Sequence, residues 1–193
     1  RREREQEKER YRNEIIGYHG SEEGLETLLG YQLFSIGNRA DSAALVYQVD
    51  YVLDGYVKKA GTNFVLSVGR LIGSQPELKG EQRLRKEDIY WEMPRCYQWD
   101  ITVNLPEGYR ISPEGLERLN VKVENDCGAF IVQATTEDGT LRIKAEKRIN
   151  HKTEPVANWE KLLEITDAAN SYEALSIVFQ ATINPPTSPT TGY

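Results

Sequence analysis

From Tyr97 to Leu105 the chain reads Tyr-Gln-Trp-Asp-Ile-Thr-Val-Asn-Leu, apolar at each odd position and polar at each even one. Successive side chains of a strand point to opposite faces, so this period of two predicts a β-strand packed on one face and wet on the other. Pro106-Glu107-Gly108-Tyr109 stops it. The alternation returns in Leu119 to Val123 and in Leu141 to Ala145, with a further strand candidate from Ala129 to Thr135 between them. Asn125-Asp126-Cys127-Gly128 and Glu137-Asp138-Gly139 carry the turn chemistry that separates these runs. Together they predict a three-stranded antiparallel meander.

Upstream, Leu28 to Ile36 and Leu45 to Leu53 read as strands, the second with Tyr47, Val49, Tyr51 and Leu53 on one face. Asp54-Gly55 predicts a type I′ hairpin turn with Tyr56 to Ala60 as the return strand, because both residues tolerate positive φ. Gly61-Thr62-Asn63 breaks that strand, and Phe64 to Leu71 is extended and apolar. Residues 73–88 are polar loop, and Ile89 to Met93 resumes extended structure before Pro94. The period changes between Asn158 and Ser171: Trp159, Leu162, Leu163, Ile165, Thr166 and Ala169 fall on one helical face, with Pro155 as a start signal. Leu175 to Ala181 is the last strand, followed by a Pro/Thr-rich tail over 184–193 that is expected to be flexible.

Residues 1–16 alternate basic and acidic side chains, and over 1–20 apolar content arrives only at Tyr11, Ile15, Ile16 and Tyr18. They predict a charged helix, either a connector from a preceding domain or a solvated helix without a partner. The expected fold is therefore mainly β. An antiparallel β-sandwich-like domain over 21–183, with a possible sub-boundary near 84–90, carries the charged N-terminal helix and one C-terminal helix packed on the sheet.

The 193 residues suffice for one substantial domain or two small ones. A compact fold of this size hides roughly 70% of its unfolded surface, so neither metal nor disulfide is needed for stability. The net charge of −6 argues against a nucleic-acid partner, because phosphate binding needs clustered Lys and Arg. No apolar run reaches the roughly 18 residues of a membrane span. Arg1 opens a charged segment without Met or an apolar leader, so the chain reads as part of something longer. Cys96 and Cys127 fit neither a disulfide framework nor a zinc site; two separate thiols in or near the core are expected, the alternative being a pair if the strands they flank are neighbours.

The order of landmarks is informative: Arg83-x-Arg85, Ile89, the alternating strand, the Leu105-Pro106-Glu107-Gly108-Tyr109 corner, the meander, the helix with Trp159 and Leu162-Leu163, and an apolar final strand. Over residues 30–181 it resembles the C-terminal region of exported bacterial transglutaminase-like proteins, in which a papain-like core precedes a small β domain. The resemblance implies an extracytoplasmic location (periplasm or cell surface) and a catalytic core outside this chain as partner.

Such a core uses Cys, His and Asp in that order, and Cys127, His151 and Asp167 follow it here. The context is wrong, however, because a catalytic thiol needs a helix N-terminus, and Cys127 leads into a strand pattern. The two histidines, His19 and His151, have no ligand-spaced neighbours, and Gly69 to Gly73 lacks the Lys-Ser/Thr of a phosphate loop. No catalytic, metal or cofactor site is expected. Tyr97, Trp99 and Trp159 lie in apolar register and are expected in the core. Tyr90 and Trp91 are adjacent in a strand and must face opposite ways, so one of them is a candidate surface contact. Arg83 and Arg85 join them, either for acidic groups of a ligand or for pairing with Glu81 and Glu87. The leading expectation is a noncatalytic accessory domain that positions or docks on the core; the alternative is a carbohydrate- or peptide-binding β module.

Overall fold

A computed structural model describes residues 25–38 and 43–182, together with Gln6, Glu9, Arg10, Arg12 to Glu14 and Gly17. The chain divides into two compact units, Arg1–Tyr56 and Val57–Tyr193. In the first, the described residues of the charged N-terminal segment are helical, with Arg12 paired to Glu9 at 3.2 Å and Arg10 to Glu14 at 3.7 Å. Strands β1 (Leu25–Asn38) and β2 (Ala43–Leu53) form an antiparallel ribbon that aligns Tyr31 with Val49 and Leu33 with Tyr47. Leu29 and Phe34, 66% and 57% exposed, stand outward together with Val46 and Val52. The Pro/Thr tail from 184 onward lies outside the described residues.

Asp54-Gly55 does not close the expected hairpin. β2 pairs with β1, whereas β3 (Val57–Ala60) pairs with β4 (Asn63–Leu66). Gly55 does take a φ of +75°, so the turn exists, but it leads the chain out of the first unit. Turn chemistry specifies a reversal and leaves the partner open. The hairpin is closed instead by Gly61-Thr62, read from the sequence as a break; Gly61, at φ +64°, occupies the first central position that a type II′ turn reserves for glycine.

The second unit holds the predicted meander. β8 (Val121–Asn125), β9 (Gly128–Glu137) and β10 (Thr140–Ile149) pair in succession, and β6 (Arg95–Asn104) adds to the free side of β10, giving the order β6-β10-β9-β8. Asp138 and Gly139, at φ +47° and +71°, make the expected turn between β9 and β10. Phe130, Val132 and Ala134 of β9 and Leu141, Ile143 and Ala145 of β10 are buried on one face. The predicted helix, α2 (Trp159–Glu173, after the short α1 at Pro113–Glu117), packs on β8 and β9. Its Leu162, Leu163, Ile165, Ala169 and Tyr172 are buried, and the Tyr172 ring meets Phe130 edge-on at 5.7 Å. Each such aliphatic or aromatic side chain contributes about 1.5–3 kcal/mol of burial. The fold class is thus the expected one: mainly antiparallel β, with one helix near the C-terminal end packed on a sheet.

The Leu105 to Tyr109 corner transfers the chain between sheets. Leu105 N–H donates to the Gly139 carbonyl at 2.8 Å, Gly108 turns with φ +79°, and β7 (Tyr109–Arg110) joins β12 (Ile177–Ala181). β12 also pairs with β4, so the second four-stranded sheet runs β3-β4-β12-β7. Phe64 to Leu71, expected to be extended throughout, is strand only to Leu66 and then a 3-10 turn, Val68–Ile72. Close approach to the end of α2 imposes that change, since Gly69 N–H donates to the Leu175 carbonyl and a Cβ on Gly69 would lie 1.9 Å from the Tyr172 carbonyl oxygen. Ile89 to Met93 is likewise strand only at β5 (Ile89–Tyr90), paired with β11 (Thr153–Glu154).

Candidate functional site

Cys127 and His151 do come together, but around Glu154 rather than Asp167. Glu154 is the one buried charged side chain among the described residues, 2% exposed. β11 sets it at the start of the turn into α2. There Asn158 Nδ2 donates to Glu154 Oε2 at 2.8 Å and His151 Nδ1 bonds to Oε1. Burial alone would raise this carboxyl, but the hydrogen bonds from Asn158 and His151 outweigh it and hold it below the usual carboxylate range. It is therefore an anion and can only accept, which makes Nδ1 the donor. The Cys127 thiol, fully buried, lies close enough to Glu154 for the two to influence each other electrostatically.

This arrangement opposes thiolate chemistry. Burial pushes the Cys127 thiol up, and the Glu154 anion beside it pushes the same way. A papain-like thiol needs the reverse, a cation and a helix N-terminus beside the sulfur. The Cys127 backbone N–H instead donates to Asn125 Oδ1 at 3.0 Å in a tight turn between β8 and β9. Cys96 and Cys127 are both free thiols, the first exposed and the second buried. Among the described residues no group of three or more His, Cys, Asp or Glu side chains is arranged to hold a metal ion.

Asp167 is engaged elsewhere. Both of its oxygens accept from the Arg83 guanidinium, at 2.8 and 2.7 Å, and this holds its carboxyl below the ordinary range. Arg83 therefore pairs with a residue of α2 rather than with Glu81 or Glu87, and its carbonyl accepts the Trp159 Nε1–H at 2.8 Å. Arg85 lies over the Trp159 ring, 5.3 Å from its centroid. Of the adjacent aromatics, Trp91 packs with Ile149 and Trp159 against Ile89, Cys127 and Leu162, while Tyr90 points outward, 64% exposed, under the Lys152 ammonium. The four candidate contacts thus divide into Tyr90 on the surface and three residues that bind β5 and the preceding loop to α2.

Sequence periodicity placed Tyr97 and Trp99 in the core, and the structure corrects this. They do share the helix-side face of their sheet, but α2 packs over β8 and β9, and β6 is the far edge strand. Tyr97 is 48% exposed and lies beside Trp99, ring centroids 6.0 Å apart and planes 21° from parallel. The opposite face of the sheet is polar. Gln98, Asp100, Gln133, Lys144, Glu146 and Arg148 line a shallow groove of about 590 Å³ there, in which Arg148 bridges Glu146 and Glu124.

With this geometry the chain is placed by comparison. It belongs to the family described as Domain of Unknown Function with solved-structure structure (DUF3858), whose model matches residues 68–179, from the 3-10 turn after β4 to β12. No curated protein and no solved structure is significantly similar to the chain. Among the described residues no helix is long and apolar enough to cross a membrane.

Proposed function

We propose that this chain is a noncatalytic accessory and interaction domain, which positions or docks on a catalytic core carried elsewhere in the same parent protein. The observation that carries the reading is the β1-β2 ribbon. A lone two-stranded ribbon is marginal in water, yet this one displays Leu29, Phe34, Val46 and Val52 to solvent. Exposed apolar side chains on so small a ribbon offer a surface that another protein can cover. The protonated, buried Cys127 thiol supports the noncatalytic part of the reading. The parent is proposed to be an exported transglutaminase-like protein acting outside the cytoplasm; the sequence landmarks from Arg83 to the final strand support this. Separately expressed core and this chain should co-purify, and Leu29→Asp with Phe34→Asp should abolish the association. Failure to associate at any salt concentration overturns the docking.

A second reading, a peptide- or carbohydrate-binding module, is favoured by the exposed aromatics Tyr90 and Tyr97. Tyr90→Ala and Tyr97→Ala would then each lower affinity in a glycan or peptide array, and unchanged binding would remove these residues from the site.

A further inference from the structure

The edge strand β6 combines three features that the docking ribbon does not explain. It is ten residues long and has one ladder partner, β10, so its outer row of N–H and C=O groups is unpaired among the described residues. Such a row is a template for another strand. Tyr97 and Trp99 stand beside it on the helix-side face, half-exposed and partly exposed.

Two cations flank those rings. Arg95 is on the same face two positions before Tyr97, and Lys147 lies directly across the ladder from Tyr97. Neither is in an ion pair among the described residues. Lys147 is the more telling. Its stem is partly buried between Tyr97 and Phe130 in the ladder, and its ammonium has one neutral partner, Gln75 Oε1 at 2.9 Å. Burial lowers its amine, with no carboxylate near enough to offset that. In a chain with 30 acidic residues against 24 basic ones, a cation without an ion-pair partner among the described residues is a place for an acid from outside.

We propose that the outer edge of β6 binds an extended acidic peptide segment by strand addition, its backbone pairing with residues 95–104. On the helix-side face it would set apolar side chains against Tyr97 and Trp99 and a carboxylate against Arg95 and Lys147. Main-chain pairing supplies affinity in this mode, and the alternating side chains supply selection. An acidic polysaccharide would use the rings and the charges but has no groups that match the strand ladder. The site belongs to the second unit and the β1-β2 ribbon to the first, and each is tested by its own variants, so the two proposals fail independently.

The test is fluorescence anisotropy on the full chain with a fluorescein-labelled, end-blocked peptide VTVTETET. Saturable binding is expected, with none for VTVTKTKT. A VTVTETET peptide N-methylated at its threonines, which keeps every charge but loses ladder donors, should bind at least ~10-fold more weakly. Arg95→Glu should weaken binding by about 10-fold and Tyr97→Ala by a similar factor, roughly the loss of one good interfacial contact each. Both side chains are exposed, so the variants should keep the thermal midpoint of the parent chain, and Leu29→Asp should bind the peptide normally. Absence of binding, equal binding of the N-methylated peptide, or indifference to Arg95→Glu overturns the proposal. Tighter binding of oligogalacturonate than of the peptide overturns it in favour of an acidic sugar.

Discussion

The guanidinium of Arg83 donates to both carboxylate oxygens of Asp167, at 2.8 and 2.7 Å, and so ties the loop before β5 to the middle of α2. Asp167 thereby leaves the sequence-ordered Cys, His, Asp trio, and Arg83 leaves the set of cations free for a ligand. Both side chains are partly exposed, so solvent screening keeps the pair's contribution small. Asp167→Asn is expected to lower the urea midpoint slightly. Because the folded carboxyl is held below its unfolded value, the contribution is whole above the unfolded carboxylate range near ~4 and vanishes as pH falls through the folded value. Acid unfolding curves of the parent and of Asp167→Asn should therefore converge at the lowest pH.

Glu154 makes a larger demand. Glu154→Ala removes the acceptor shared by Asn158 and His151 and leaves a hole under the start of α2. The expected loss is ~1–3 kcal/mol by urea denaturation, since the half-buried Asn158 amide and the His151 ring lose their common acceptor and a buried side chain is replaced by a cavity. Its carboxyl is also depressed, so its contribution is present above the unfolded carboxylate range and is lost on acidification. A change below ~1 kcal/mol would show that the cluster is not structural.

Thiol reactivity separates the two cysteines. Iodoacetamide at neutral pH should label Cys96, which is exposed, and spare Cys127, which is buried beside an anion, until the chain unfolds. Peptide mass spectrometry reads the result. Fast labelling of Cys127 in the folded chain would contradict the noncatalytic reading.

Gly69 is predicted to admit no side chain. A Cβ there would meet the Tyr172 carbonyl oxygen at 1.9 Å and that of Glu173 at 2.5 Å, both backbone atoms that cannot swing aside. Gly69→Ala should cost about 3 kcal/mol or more through displacement of α2. At Gly139 the space is open, and the φ of +71° limits the alanine penalty to about 1 kcal/mol. Thermal melts of the two variants compare the causes directly.

Local patterns carried much of the fold. Alternation over Tyr97 to Leu105 is enough to make a strand with two unlike faces, and Asp138-Gly139 is enough to reverse it, because both depend on backbone geometry within a few residues. Leu162, Leu163, Ile165 and Ala169 likewise mark the buried stripe of α2 by spacing alone. Tyr90 and Trp91 were bound to diverge, though which of them faced water was open.

Relations between distant segments were not legible in this way. Asp54-Gly55 and Gly61-Thr62 are both turn signals, and only pairing across the sheets decides that the second closes a hairpin and the first does not. Period two gave Tyr97 a face but could not show that α2 stops short of β6, which leaves that face open. Glu154 carries no periodic signal at all. His151 and Asn158 lie within four residues of it, but Cys127, packed beside it, arrives from the turn between β8 and β9, which no local pattern announces. The sequence by itself determined the elements and their faces, since those arise from neighbours along the chain. The tertiary structure alone decided which faces are covered and which charges are paired, because burial depends on what arrives from far away in the sequence.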